Sequence, residues 1–131
     1  MQKRNDKEHQ EQAALFKWAK MLEGAYPELS LLHAVINHNI LFSTLSKESF
    51  FKVLSYLRAE GFKDGVLDVH LPVARGEWHS LWVEMKVGDN KPTPEQVIWL
   101  DALIEQGNYA TVCYSAEEAI GVISSYLEGS L

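Results

Sequence analysis

A chain of 131 residues, 47% hydrophobic and 23% charged, has the size and composition of one globular domain with a buried core. Its longest apolar runs are far too short for a membrane span, and its start, MQKRNDKEHQEQ, lacks the apolar centre of a signal peptide. The net charge of −6 weighs mildly against a nucleic-acid partner, because phosphate contacts come from Lys and Arg, but cations bound at an acidic site would offset part of it.

From about Asp6 to Glu23 the pattern predicts a first helix, with Ala13, Leu15, Phe16, Ala19 and Leu22 as its apolar stripe. Glu8, Glu11 and Gln12 stand near its start, where acids suit the helix dipole, so a solvated helix end is their plainer explanation. Gly24 to Ser30, containing Pro27, reads as a turn, and Leu31 to Ile36 as a short buried strand ended by Asn37-His38-Asn39. His33 and His38 invite a zinc reading, but no Cys or third His stands at ligand spacing around them. A second helix runs from Ser46 or Lys47 to Glu60, with Phe50, Phe51, Val53, Leu54 and Leu57 on its apolar face and Gly61 as its stop.

Phe62 to Gly65 turns into a strand over Val66 to Pro72. Arg75 to His79 is a hairpin loop, and Ser80 to Val87 is the return strand. Thr93-Pro94-Glu95-Gln96 opens a third helix with an N-cap, a proline in the first turn and the glutamine of a capping box. Gly107 ends it. Tyr109 to Tyr114 is a strand whose one cysteine, Cys113, excludes an internal disulfide, reads as a buried thiol and fits a reducing cytoplasm. Ser115 caps a last helix reaching about Leu127. The order α-β-α-β-β-α-β-α predicts a single-domain, three-layer α/β fold with one hairpin in a mixed sheet.

Chemistry concentrates between Gly65 and Lys86. Alternation along Leu81-Trp82-Val83-Glu84-Met85-Lys86 sends Glu84 and Lys86 to one side and Leu81, Val83 and Met85 to the other. Asp68 lies on the paired strand. Two carboxylates that can share Mg²⁺ or Mn²⁺, a Met85 carbonyl beside them, and a lysine that holds water are what metal-dependent phosphodiester hydrolysis requires. A bare D…ExK is common, and Trp82, Glu84 and Lys86 would also make an ordinary exposed strand face with a cross-strand ion pair.

The accompanying pattern is more specific. An acid four residues before a glutamine (Glu8, Gln12), an Asp after a Gly-Val turn (Asp68), a Glu-x-Lys (Glu84, Lys86) and an early glutamine in the next helix (Gln96) occur in this order along nearly the whole chain. In this the chain resembles the VRR-NUC family, a branch of the PD-(D/E)XK nucleases, in its short stand-alone form known from phages and bacteria. It departs at Leu67, where a proline is usual, at Asp64, where a small residue is common, and at Asn37-His38-Asn39, where Asn-Gly-Gly is usual.

The resemblance implies a restriction-endonuclease-like fold and a metal-dependent DNA endonuclease similar to Holliday-junction resolvases, working as a homodimer on branched DNA. It implies that Asp68, Glu84, the Met85 carbonyl and Glu8 hold Mg²⁺ or Mn²⁺. Lys86 then orients the attacking water, Gln96 bonds the water or the scissile phosphate, and Gln12 supports the shell. Glu11 rivals Glu8, and the family register favours Glu8. Asn37 and His38, with Lys63 and Lys91 in flanking loops, are candidates for substrate contact. Trp18, Phe42, Phe51 and Trp99 exceed what a small core needs and suit a dimer surface. The rival expectations are a sequence-specific or RecB-like nuclease of the same superfamily, or a non-catalytic DNA-binding or assembly subunit.

Overall fold

The structure, a computed structural model, describes residues 6–36, 41–42 and 44–131. Helix α1 spans Asp6–Leu22 and buries Leu15 and Ala19. A 3-10 helix, Pro27–Leu31, follows, and β1 is only His33–Ala34. Helix α2 is Lys47–Ala59, capped by Ser46, whose hydroxyl accepts from the Ser49 amide. The hairpin strands are β2, Val69–Leu71, and β3, Leu81–Met85. Helix α3 is Pro94–Glu105, β4 is Tyr109–Cys113, and α4 is Ala116–Leu127.

Among the described residues the sheet has the order β1-β2-β3-β4. The first two pairings are antiparallel and β3–β4 is parallel, with α3 as the crossover that a parallel pair demands. One face is apolar. Val69, Leu71, Leu81, Val83, Met85 and Cys113 pack there against Leu15 and Ala19 of α1 and Ala119, Ile123 and Tyr126 of α4. The alternate residues of β2 and β3 turn to the other face, where α3 brings Gln96 against Glu84.

The element order matches the sequence expectation, and the differences are local. The stretch read as a turn before β1 is helical from Pro27, whose fixed φ suits a first helical turn. The run expected as a buried strand is a two-residue edge strand, with Leu31 50% and Ile36 61% exposed. Among the described residues its one neighbour, β2, is itself short, because Pro72 has no amide to continue a ladder. At the other end of β2 the ladder gives way to side chains: the Met85 amide donates to Asp68 Oδ2 at 2.9 Å, and the Asp68 amide donates to Glu84 Oε1 at 3.2 Å. The β2–β3 pairing stops where the two carboxylates take it over.

Candidate functional site

Among the described residues six polar or charged side chains are buried: Gln12, Asp68, Ser80, Glu84, Lys86 and Gln96. Ser80 has a structural explanation, since its hydroxyl donates to Asn108 Oδ1 at 2.6 Å. The other five are all residues the sequence pattern singles out. Burial of polar groups is costly unless they are paired, so their concentration marks the site.

Asp68 and Glu84 are each only 1% exposed and sit across the β2–β3 hairpin from one another. Each carboxylate clasps a backbone amide of the opposite strand, Asp68 that of Met85 and Glu84 that of Asp68. Glu84 Oε2 then accepts from Gln96 Nε2 at 2.8 Å and lies 3.5 Å from Lys86 Nζ. Lys86 follows the last residue of β3, and its amide donates to the Cys113 carbonyl, so sheet pairing aims its side chain to the Glu84 side. Gln96 arrives from α3, whose N-terminus is fixed by a complete capping box with Thr93.

These surroundings push the Glu84 carboxyl up to about 9. Burial is the main cause, and the neighbouring Asp68 charge adds to it; Lys86 works in the opposite direction, while a hydrogen bond with Asp68 and the charge of Glu8 reinforce the rise. At neutral pH the two acids therefore hold a proton between them. Without that proton, two carboxylates this close and this dry, opposed by one lysine, would carry an excess of negative charge that a cation would relieve.

Helix α1 separates the two rival acids. Glu11 Oε1 accepts the Ala116 amide at 3.1 Å, which commits it to the N-terminus of α4. The charge of Glu8, by contrast, is felt at Glu84. Gln12 is buried in the same helix. Lys63 and Lys91 are exposed. Asn37 and His38 lie outside the described residues. Of the aromatic residues expected at a dimer surface, Phe51 is 56% exposed, whereas Trp18, Phe42 and Trp99 are half-buried.

One feature of this face was not singled out in the sequence. His70 stacks on Trp82 with centroids 3.8 Å apart, and His33 meets His70 edge-on at 5.1 Å. Burial, helped by the charge of His33, lowers His70 to about 4, so it is a neutral ring in this stack. Period-two alternation from Asp68 and from Glu84 is the signal that places His70 and Trp82 beside the acids.

Among the described residues no group of three or more His, Cys, Asp or Glu stands ready to hold a metal. A hard cation such as Mg²⁺ does not require one, because it commonly takes one or two carboxylates and fills its shell with water and phosphate oxygens. A buried pair of carboxylates offering oxygen donors fits that kind of ion.

No family model and no curated protein matches the chain. Among solved structures it is similar to one described as a "VRR_NUC domain protein", with a TM-score of 0.71 and 22% sequence identity, covering 92% of this chain and 88% of that one. The chain thus carries the fold of a VRR-NUC domain, a mixed four-stranded sheet flanked by helices of the restriction-endonuclease-like kind.

Proposed function

We propose that this chain is a VRR-NUC nuclease of the PD-(D/E)XK type that hydrolyses phosphodiester bonds in DNA with Mg²⁺ or Mn²⁺, acting on branched substrates as a homodimer. The observation that carries this reading is the buried Asp68–Glu84 pair, clasped by the backbone amides of the hairpin and standing beside Lys86 on that fold.

Asp68, Glu84, the Met85 carbonyl and Glu8 would hold the ion. Bound there, it supplies an activated water and neutralises charge on the scissile phosphate. The protein's own part is positional. The hairpin holds the two carboxylates through opposite backbone amides, so their separation does not depend on flexible side chains. Lys86, tethered near Glu84, holds and orients the attacking water and balances the acids. Gln96 keeps Glu84 Oε2 in place. Exposed apolar side chains, Phe51 on α2 and Ile98 on α3, support a two-fold pairing in which each subunit cuts one strand.

The test is a cleavage panel of linear duplex, flap and four-way-junction DNA with Mg²⁺ or Mn²⁺ and Lys86→Ala as control. Preferential junction cutting, lost in the variant, is the expected outcome. Cutting of linear duplex at a fixed sequence assigns the protein to the sequence-specific class instead, and processive cutting from DNA ends to the RecB-like class. Absence of cleavage with every divalent ion leaves a non-catalytic DNA-binding subunit. Light scattering that finds a monomer at micromolar concentration removes the homodimer.

A further inference from the structure

The side-chain amide of Gln96 is engaged at both ends. The Thr93 amide donates to Gln96 Oε1 at 2.8 Å, and Gln96 Nε2 donates to Glu84 Oε2 at 2.8 Å. In return the Gln96 amide donates to Thr93 Oγ1 at 3.2 Å. A backbone N–H can only donate, so the Thr93 amide forces the oxygen of the Gln96 side chain towards itself and the nitrogen towards Glu84. A capping box accepts Glu as readily as Gln at this position. Only Gln closes the box and still offers a donor to the carboxylate.

The other acid is referenced to the same turn of helix. Gly65, at φ 84°, lies so close to the first turn of α3 that an added Cβ would stand 2.6 Å from the Glu95 carbonyl carbon, and the chain runs from there through Leu67 directly to Asp68. The start of α3 thus locates both carboxylates, one through a loop contact and one through a hydrogen bond.

We propose that Thr93 is a positioning residue of the acid pair: by closing the cap on Gln96 it fixes the side-chain amide so that a donor faces Glu84 Oε2. This rests on the reading of Asp68 and Glu84 as a cation site. It assigns Gln96 to Glu84 rather than to water or phosphate, and it makes the helix cap part of the site.

The experiment titrates Mn²⁺ alone, without DNA, into the metal-free full chain by calorimetry and follows the Gln96 side-chain NH₂ signals by NMR. Gln96→Ala and Thr93→Ala should each weaken Mn²⁺ binding by about tenfold or more, the usual effect of removing a group that orients a ligand. Thr93→Ser, which keeps the hydroxyl, should restore it to within about threefold of wild type. A purely structural cap would lower the thermal midpoint of Thr93→Ala and leave Mn²⁺ affinity alone; that result overturns the proposal. If the wild-type chain binds no Mn²⁺ or Mg²⁺, the cation reading falls and the NMR signals decide. Gln96 NH₂ signals that shift in both Thr93→Ala and Glu84→Ala support the linkage, and signals unmoved by Thr93→Ala refute it.

Discussion

The two faces of the sheet are built from the same strands and obey different rules. On one, Leu81, Val83 and Met85 meet α1 and α4 in a cluster of apolar side chains, where shape and volume are what matter and related residues can substitute at modest cost. On the other, Trp82, Glu84 and Lys86 meet Asp68, His70 and Gln96, and the carboxylates there are held by specific amides and by Lys86. Alternation puts a tolerant surface and an intolerant one back to back, one residue apart. A substitution on the first should cost stability and spare activity, and a substitution on the second should do the reverse.

The largest expected effect lies on the polar face. Glu84→Ala or Lys86→Ala should reduce metal-dependent cleavage by roughly a thousandfold or more, about 4 kcal/mol of transition-state stabilisation. The thermal midpoint of Glu84→Ala should hold or rise, because that variant removes one of two crowded acids. Cleavage that survives Glu84→Ala in an intact fold would erase the functional difference between the faces.

The apolar face supplies the opposite case. Ile123 of α4 is fully buried in the cluster, and Ile123→Ala should cost about 2–5 kcal/mol of stability through lost contacts and a residual cavity. Cleavage measured well below its lowered midpoint should stay near that of wild type. Chemical denaturation checks the first half and initial rates the second.

A third expectation concerns pH and turns on Glu84. Its carboxyl is raised from 4.5 to about 9 in the fold, so the folded chain holds a proton that the unfolded chain releases. The stability linked to this group is fully present below about pH 4.5 and is lost as pH climbs towards 9. The metal-free protein should therefore show a falling thermal midpoint from pH 6 to 9. Saturating Mg²⁺ or Mn²⁺ should flatten that slope by taking the proton's place, and Glu84→Gln should flatten it without metal. A metal-free midpoint that rises across this range would show that the pair does not share a proton.

The faces also differ in how far they are legible in the sequence. Thr93-Pro94-Glu95-Gln96 is a local signal, and the capping box forms as written because its atoms lie within one turn. The alternation of Leu81 to Lys86 is equally local and puts each side chain on its expected face. Leu31 to Ile36 is different: its apolar run reads as buried, but apolarity cannot tell a central strand from an edge with one short neighbour, and Leu31 and Ile36 are exposed. The engagement of Gln96 with Glu84 is likewise invisible in spacing. It depends on where α3 crosses the sheet, which no window of residues contains.

Glu8 and Glu11 are the sharpest instance, and they carry the smallest expected effect. Three residues apart on α1, they share a helix face, and local pattern cannot say which one serves the site. The fold separates them by tertiary partner: Glu11 caps the first amide of α4, while the charge of Glu8 bears on Glu84. Glu11→Ala should accordingly behave as a lost cap, costing about 1 kcal/mol with cleavage unchanged. Glu8→Ala should keep or slightly raise stability, since it relieves repulsion at the acid pair, and should lower cleavage at limiting Mg²⁺ in a way that excess Mg²⁺ partly restores. If Glu11→Ala loses cleavage at full stability while Glu8→Ala is silent, the two acids have exchanged roles, and the boundary between the scaffold and the site along α1 lies one turn later than the geometry draws it.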